Sequence, residues 1–254
     1  MWVLECYFNC VTKWALQTEE CQQEMNNPSS QELLTYLLSF ITENKQQLIA
    51  SRILERTRHI TVVLEDIYQP QNASAVLRTA DCFGVQDVHV IENTNEYEIN
   101  PRVVHGASKW LNLKKYNAVH DNTTDCIQKL KAKGYSIVAT SPHANSVSLY
   151  QLPINKPVAL MFGTEKLGLS STALEQADEL MYIPMFGFTE SLNISVSAAI
   201  CLQHLTHRLR QTGIDWQLSE AEKHELSLDW ARIVLKDPEG LEKRFWEENP
   251  PKPV

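Results

Sequence analysis

The sequence predicts an α/β protein built on a mainly parallel sheet, with helices on both faces and helical extensions at both ends. From residue 60 to residue 211, short apolar runs alternate with longer segments of helical periodicity. Strands that alternate with helices favour a parallel sheet, because a crossover between parallel strands needs a connection long enough to hold a helix.

The ends of the chain differ from this middle part. Residues 1–28 carry three of the six cysteines and are predicted to be a poorly packed extension. Residues 29–58 keep apolar residues at helical spacing and end in a basic cluster, so they form a predicted N-terminal helical segment. Residues 214–254 are predicted to add acidic amphipathic helices, which leaves residues 59–213 as the central domain.

Six strands are predicted in the central domain. The first is of the fully buried type, because its apolar run is continuous rather than alternating. The strand segments are ITVVLEDI, VQDVHVIE, WLNLKKY, YSIVAT, PVALMFG and ELMYIPM.

The predicted helices lie between and after these strands. The segment NASAVLRTADCFG is helical and closes with Gly84 as its C-terminal cap. Asp121 or Asn122 caps the helix TTDCIQKLKAKG. A short helix, SSTALEQAD, precedes the last strand, and residues 193–211 form the last helix of the domain.

Composition excludes several classes of protein. The formal net charge of −8 argues against a protein that coats nucleic acids generally, although local basic patches remain possible. The cysteines form no CxxC pair, and the start of the sequence lacks the basic region and the cleavage site of a secretory signal, which favours reduced thiols and a cytoplasmic location. No apolar run approaches the ~18 residues of a membrane span, so no membrane partner is expected, and no DNA partner either.

Polar residues follow three of the predicted strands. Asn72 and Arg78 come after the first strand, Gly163 ends PVALMFG and Glu165 follows it, and Asn193 lies beyond the loop after ELMYIPM. Parallel α/β sheets bind their ligands at the carboxyl ends of the strands. These three strand ends are therefore the predicted functional site.

The common nucleotide and metal motifs are missing. GxGxxG does not occur, and GTEKLGLS has the glycine spacing of a P-loop but carries Leu169 where the lysine belongs. HExxH and zinc-type Cys/His spacings are also absent, so no metal ion is expected in the site.

Three segments together resemble the SpoU class of the SPOUT RNA ribose 2′-O-methyltransferases. They are QPQNASAVLRTADCFGV at 69–85, LMFGTEKLGLS at 160–170 and IPMFGFTESLNISVSAA at 183–199. The short N-terminal helical segment, HGASKW at 105–110 and the C-terminal helix are similar to those of the members that methylate guanosine 18 of tRNA.

The resemblance implies a fold, an activity and an assembly. The expected fold has a C-terminal trefoil knot, and the expected assembly is a homodimer. The expected activity is methylation of a ribose 2′-hydroxyl in tRNA, most of all guanosine 18, with S-adenosylmethionine as methyl donor. Two alternatives stay open: the same reaction on ribosomal RNA, and a knotted RNA-binding protein without catalysis.

The resemblance also assigns roles to residues. Catalytic roles fall to Arg78, Asn72, Glu165, Ser191 and Asn193. The cofactor is expected to contact Thr140, Phe162, Gly163, Ile183, Met185 and Leu192. The basic residues expected to bind RNA are Arg52, Arg56, Arg58, Arg102 and Lys109, so residues 29–58 become an RNA-binding segment.

Overall fold

The computed structural model describes residues 28–98, 100–141, 146–164 and 167–250. The extension predicted over residues 1–28 lies almost wholly outside the described residues. The chain forms two compact units, which divide between Glu55 and Arg56 and between Gln217 and Leu218.

The central unit contains a seven-stranded sheet in which all the neighbouring strands are parallel. This confirms the predicted α/β class. The strand order is β3-β2-β1-β6-β4-β7-β5. The strands are β1 (Ile60–Glu65), β2 (Asp87–Ile91), β3 (Asn112–Tyr116), β4 (Ser136–Thr140), β5 (Val147–Ser148), β6 (Val158–Phe162) and β7 (Glu179–Tyr182).

The sequence predicted six of these strands and missed β5. That strand has only two residues and pairs with β7 at the edge of the sheet. A two-residue segment is too short to show the alternation or the apolar run by which a strand is recognised.

Nine α-helices lie within the described residues. In the central unit they are α3 (Pro70–Cys82), α4 (Pro101–Val104), α5 (Asn122–Ala132), α6 (Ser171–Gln176) and α7 (Ile194–Arg210), with short 3-10 helices at Ala107–Trp110 and Leu149–Gln151. The other unit holds α1 (Pro28–Ser39), α2 (Glu43–Ile53), α8 (Glu220–Val234) and α9 (Pro238–Glu248).

Helices cover both faces of the sheet. Alternate residues of β1 show this, because they pack in two different apolar cores. Val62 and Leu64 pack in a core with residues of α3 and α7, including Val76 and Leu205. Val63 packs in a second core with residues of α5 and α6. Burial on both faces explains why β1 reads as one continuous apolar run.

The N-terminal and C-terminal helices belong to one unit. Helix α1 contacts α8 and α9, and α2 contacts α8. Their shared core contains Leu37, Leu228 and Phe245. Among the described residues, no helix combines the length and the apolar content that crossing a membrane requires.

A buried histidine in the sheet makes the stability of the fold depend on pH. His89 is 2% exposed, and its Nδ1 lies 2.9 Å from Tyr116 Oη. Burial, followed by the positive charge of Lys114, lowers the pKa of His89 to about 4. The protonated imidazole is therefore disfavoured in the folded state.

We expect the free energy of unfolding to fall as the pH drops from about 6.5 to about 4. In that window the unfolded chain binds a proton at His89 that the folded chain excludes, which removes on the order of 3 kcal/mol. Urea unfolding of the wild type and of His89→Gln across this range measures the effect. Two parallel stability curves would show that His89 does not carry it.

Candidate active site

The centre of the site is a hydrogen bond between two asparagines from distant parts of the sequence. Asn193 Nδ2 donates to Asn72 Oδ1 at 3.2 Å. Asn193 also caps α7, because its Oδ1 accepts hydrogen bonds from the backbone N–H and the hydroxyl of Ser195. The first and third sequence motifs therefore meet at this pair.

The segment 183–193 reaches Asn72 by crossing two strand ends. Strands β4 and β6 lie between β7 and β1, so the separation is three strand spacings, or about 14 Å. The segment leaves the end of β7 and ends at Asn193, which is bound to Asn72 on α3, the helix that follows β1. It therefore passes the carboxyl ends of β4 and β6, where Thr140 and Gly163 lie.

Asn72 lies in the first turn of α3 and is not its N-cap. The helix begins at Pro70, and its N-cap is Gln69. Its side chain is 9% exposed, and its Nδ2 donates to Gln69 Oε1 at 2.9 Å. Gln69 is thus a site residue that the sequence reasoning missed, and its place three residues before Asn72 was the available signal.

Arg78 lies further along α3, with its side chain exposed. It is six residues after Asn72, which places it about 9 Å along the helix axis. Among the described residues it has no hydrogen-bond or ion-pair partner, so its guanidinium can bind a ligand.

The residues expected to hold the cofactor lie around three neighbouring strand ends. Thr140 ends β4 and donates from Oγ1 to Met161 O of β6 at 2.8 Å. Phe162 ends β6 and is 2% exposed, whereas Ile183 follows β7 and is partly buried. The apolar side chains of Met185 and Leu192 are each 38% exposed. Apolar side chains open to solvent at strand ends fit a ligand with a flat apolar ring.

Gly163 begins a tight turn in which the chain folds back on itself. Thr164 and Gly168 exchange two backbone hydrogen bonds of 2.9 Å. Gly168 has φ of 71°, and a Cβ added to Gly163 would overlap the backbone of Gly168 and Leu169. Both glycines are therefore required by the geometry of the turn.

The described N–H groups that follow this turn do not form a phosphate cradle of the P-loop kind. The backbone N–H of Ser170 donates to Glu65 Oε2, and that of Ala173 donates to Ser170 Oγ. These groups are already bound to protein atoms.

Two further residues were expected to have catalytic roles. Glu165 lies outside the described residues, while Ser191 is exposed beside Leu192.

The basic cluster of residues 52–58 is not a set of three exposed cations. Arg56 is 5% exposed and forms an ion pair with Asp81, which lies on α3. It cannot offer its charge to an RNA phosphate without breaking that pair, so the surface role predicted for Arg56 is not supported. Arg58 is partly buried, with Nε 3.3 Å from Asp87 Oδ1, and Arg52 is exposed on α2.

Arg102 and Lys109 are exposed on elements that pack against α3. Arg102 lies on α4, whose N-terminus is tied to α3 because the Asn100 backbone N–H donates to Ser74 Oγ at 2.8 Å. Lys109 Nζ lies 4.9 Å from the centre of the Trp110 ring. These two cations therefore belong to the neighbourhood of the helix that carries Arg78.

An open groove follows the carboxyl ends of β1 and β2. It is lined by residues 68–71 and by residues of the loop after β2, including Glu96 and Glu98. The two carboxylates make this groove unfavourable for phosphate groups. RNA phosphates are better matched by the cations around α3.

The chain is similar in sequence and fold to RNA methyltransferases. The model of the SpoU rRNA methylase family matches residues 59–203. A tRNA (guanosine(18)-2′-O)-methyltransferase of Borreliella burgdorferi is 48% identical over 206 residues, which are 81% of this chain and 93% of that protein.

Two solved structures extend this likeness. The Aquifex aeolicus TrmH/SpoU tRNA-modifying enzyme has a TM-score of 0.68 and 28% identity, covering 76% of this chain and 98% of that chain. An rRNA methyltransferase of Sinorhizobium meliloti with bound AdoMet has a TM-score of 0.53 and 27% identity, covering 63% of this chain and 60% of that chain.

Proposed function

Because the chain belongs to the SpoU methylase family, we propose that it methylates the ribose 2′-hydroxyl of guanosine 18 in tRNA, with S-adenosylmethionine as methyl donor. The observation that carries this proposal is the hydrogen bond between Asn193 and Asn72. It joins the third motif to the helix of Arg78 beside three neighbouring strand ends. The 48% identity to a guanosine-18 methyltransferase favours tRNA over ribosomal RNA as the substrate.

The reaction requires alignment and removal of a proton. The cofactor, when bound, supplies a methyl group on a positively charged sulfur. The protein must hold the ribose hydroxyl in line with that group, and such positioning can contribute roughly 7–11 kcal/mol to lowering the barrier. The hydroxyl is a weak nucleophile at neutral pH, so its developing negative charge needs a partner.

Arg78 is the group that meets this need. Its guanidinium stays charged at physiological pH and is a hydrogen-bond donor only, so it does not act as a general base. Its planar fork can bind a phosphate oxygen and the ribose oxygen together. We propose that Arg78 aligns the nucleophile in this way and that the adjacent RNA phosphate accepts the proton.

The remaining polar residues position Arg78 and the RNA. The hydrogen bond from Asn193 to Asn72 holds the segment 183–193 across the strand ends. Ser191, two residues before Asn193, lies at the end of that segment, and Glu165 is two residues after Gly163 in the sequence. We propose that both line the pocket that receives the target nucleotide.

The cofactor is proposed to bind where β6, β4 and β7 end. Thr140, Phe162, Gly163 and Ile183 supply backbone groups and walls, and the exposed side chains of Met185 and Leu192 cover the adenine. Adenine has a flat apolar face and polar edges, so apolar side chains combined with backbone N–H and C=O groups suit it better than charged side chains do.

RNA binding is proposed for Arg52, Arg58, Arg102 and Lys109. We expect the double variant Arg102→Ala/Lys109→Ala to weaken tRNA binding and to flatten its dependence on salt. Each lost phosphate contact lowers the slope of log K against log salt by roughly 0.7–0.9. Binding titrations from low to moderate salt measure it.

Lys129→Ala provides the matched control for this variant. Lys129 is an exposed cation on α5, and its ion-pair partner Asp125 lies on the same helix. An unchanged salt slope in the Arg102/Lys109 variant would place the RNA on another surface.

We further propose that the chain is threaded as a trefoil knot and acts in the cytoplasm as a homodimer. The passage of the segment 183–193 across two strand ends supports the threading. Phe186, Phe188 and Val196 are exposed apolar residues on that segment and on α7. Exposed apolar side chains that cluster along one stretch of chain favour a surface that a partner subunit covers.

Methyl transfer from labelled S-adenosylmethionine to total tRNA and to ribosomal RNA tests the function. The expected product is a single 2′-O-methylated guanosine at position 18, located by mapping the modified nucleotide. Labelling of ribosomal RNA alone would favour the ribosomal alternative. Cofactor binding without methyl transfer to either RNA would indicate an RNA-binding protein without catalysis.

A further inference from the structure

A buried carboxylate lies under the site and has no role in the mechanism above. Glu65 is the last residue of β1, and β1 is flanked on both sides by other strands of the sheet. The residue is 2% exposed. A carboxylate in such a place is strongly unfavourable unless hydrogen bonds compensate for its lost hydration.

Three neutral donors satisfy Glu65. Its Oε2 accepts from the backbone N–H of Ser170 at 2.8 Å. Its Oε1 accepts from Ser170 Oγ at 2.7 Å and from Thr123 Oγ1 at 2.6 Å. Ser170 is exposed at the surface, yet both its hydrogen-bonding groups point inward to this carboxylate.

These bonds join two other segments of the chain to the end of β1. Ser170 follows the Gly163–Gly168 turn and caps α6 through Ala173. Thr123 lies in the first turn of α5, and its hydroxyl also accepts from Asn93 Nδ2 at 2.8 Å. Glu65 therefore binds two segments at once: the residue that follows the turn after β6, and the first turn of α5.

We propose that Glu65 is a positioning residue for the cofactor site. Its carboxylate holds Ser170, and thereby holds the turn that begins at Gly163 beside the strand ends. This role rests on the proposed function, because it assigns the Gly163 turn to the cofactor. If the carboxylate served only the core, replacing it would lower the stability of the fold without changing the cofactor affinity of the folded protein.

Two replacements of Glu65 separate the hydrogen bonds from the volume of the side chain. Glu65→Met keeps the length and removes both carboxylate oxygens, leaving only a weakly accepting thioether sulfur. Glu65→Gln keeps the network, because its amide oxygen can accept from the Ser170 N–H while its NH2 donates to hydroxyls that can also accept. Asp87→Asn is the control, since Asp87 is a buried carboxylate at the amino end of β2, away from the strand ends that form the site.

Two measurements on the full chain test the proposal. Hydrogen exchange without any ligand should show the Ser170 amide exchanging at least about tenfold faster in Glu65→Met, and unchanged in Glu65→Gln and Asp87→Asn. Calorimetric titration with S-adenosylmethionine should give a Kd at least about tenfold higher in Glu65→Met, with the other two within about threefold of the wild type.

Each outcome decides the role of Glu65. Either wild-type exchange of the Ser170 amide or wild-type cofactor affinity in Glu65→Met would overturn the proposal, as would equal losses in Glu65→Gln and Glu65→Met. If Glu65→Met does not fold, Ser170→Ala takes its place, and it should weaken cofactor binding while the exchange of α5 stays unchanged. The exchange arm needs no cofactor, so a wild-type protein that fails to bind S-adenosylmethionine overturns the proposed function separately.

Discussion

Arg78→Lys and Arg78→Ala are both expected to lose roughly 10²–10³-fold in the rate of methyl transfer, the loss typical of removing one stabilising donor from a transition state. The cofactor should still bind, because Arg78 lies on the exposed side of α3 and not at the ends of β4, β6 and β7. The lysine result follows from geometry. A point-charge ammonium cannot hold a phosphate oxygen and a ribose oxygen in one plane as a guanidinium does.

Single-turnover methyl transfer at saturating tRNA distinguishes alignment from docking. If Arg78 only attracts RNA, a high tRNA concentration and low salt should restore the rate of Arg78→Lys. If it aligns the hydroxyl, saturation does not help, because the loss lies in turnover. A near-normal single-turnover rate for Arg78→Lys would leave docking as its only role.

Gly163→Ala is expected to abolish most cofactor binding. The added methyl group would overlap the backbone of Gly168 and Leu169, and neither backbone can yield as a flexible side chain would. The turn must therefore open, which lowers the free energy of unfolding by about 1–3 kcal/mol. Because the displaced turn lines the proposed cofactor slot, we expect Kd for S-adenosylmethionine to rise by at least about 100-fold.

Gly213→Ala is the matched control for that experiment. A Cβ on Gly213 meets no atom within 4 Å, and Gly213 is not among the glycines with positive φ. Its stability and cofactor affinity should stay close to those of the wild type. Calorimetric titration together with thermal unfolding reports both quantities, and tight binding by Gly163→Ala would remove the turn from the cofactor site.

The sequence predicted those features of the site that depend only on residues close together in the chain. The place of Arg78 after β1, the place of Gly163 after β6 and the capping role of Gly84 follow from short-range patterns, and Gly84 has the expected positive φ of 76°. The resemblance to the SpoU class rested on three such segments and is confirmed. Periodicity and turn chemistry are properties of neighbouring residues, so they can be read without the fold.

Some side chains were misjudged because their partners are distant in sequence. Arg56 reads as part of a surface cluster, yet it pairs with Asp81, 25 residues away. The partner of Asn72 was also out of reach, since Asn193 lies 121 residues away. Glu65 is a third case, since a carboxylate at the end of a strand is usually hydrated, and only its burial and its contact with Ser170 show otherwise.

By itself, the sequence determined the α/β class, six of the seven strands and the set of strand ends that carry chemistry. Only the tertiary structure decided the strand order, in which β6 and β4 separate β1 from β7. That order sends the segment 183–193 back across the site and joins Asn193 to Asn72. The reason is physical: parallel strands pair through long crossover connections, and their order is set by which apolar faces pack together, a property that no local pattern of residues records.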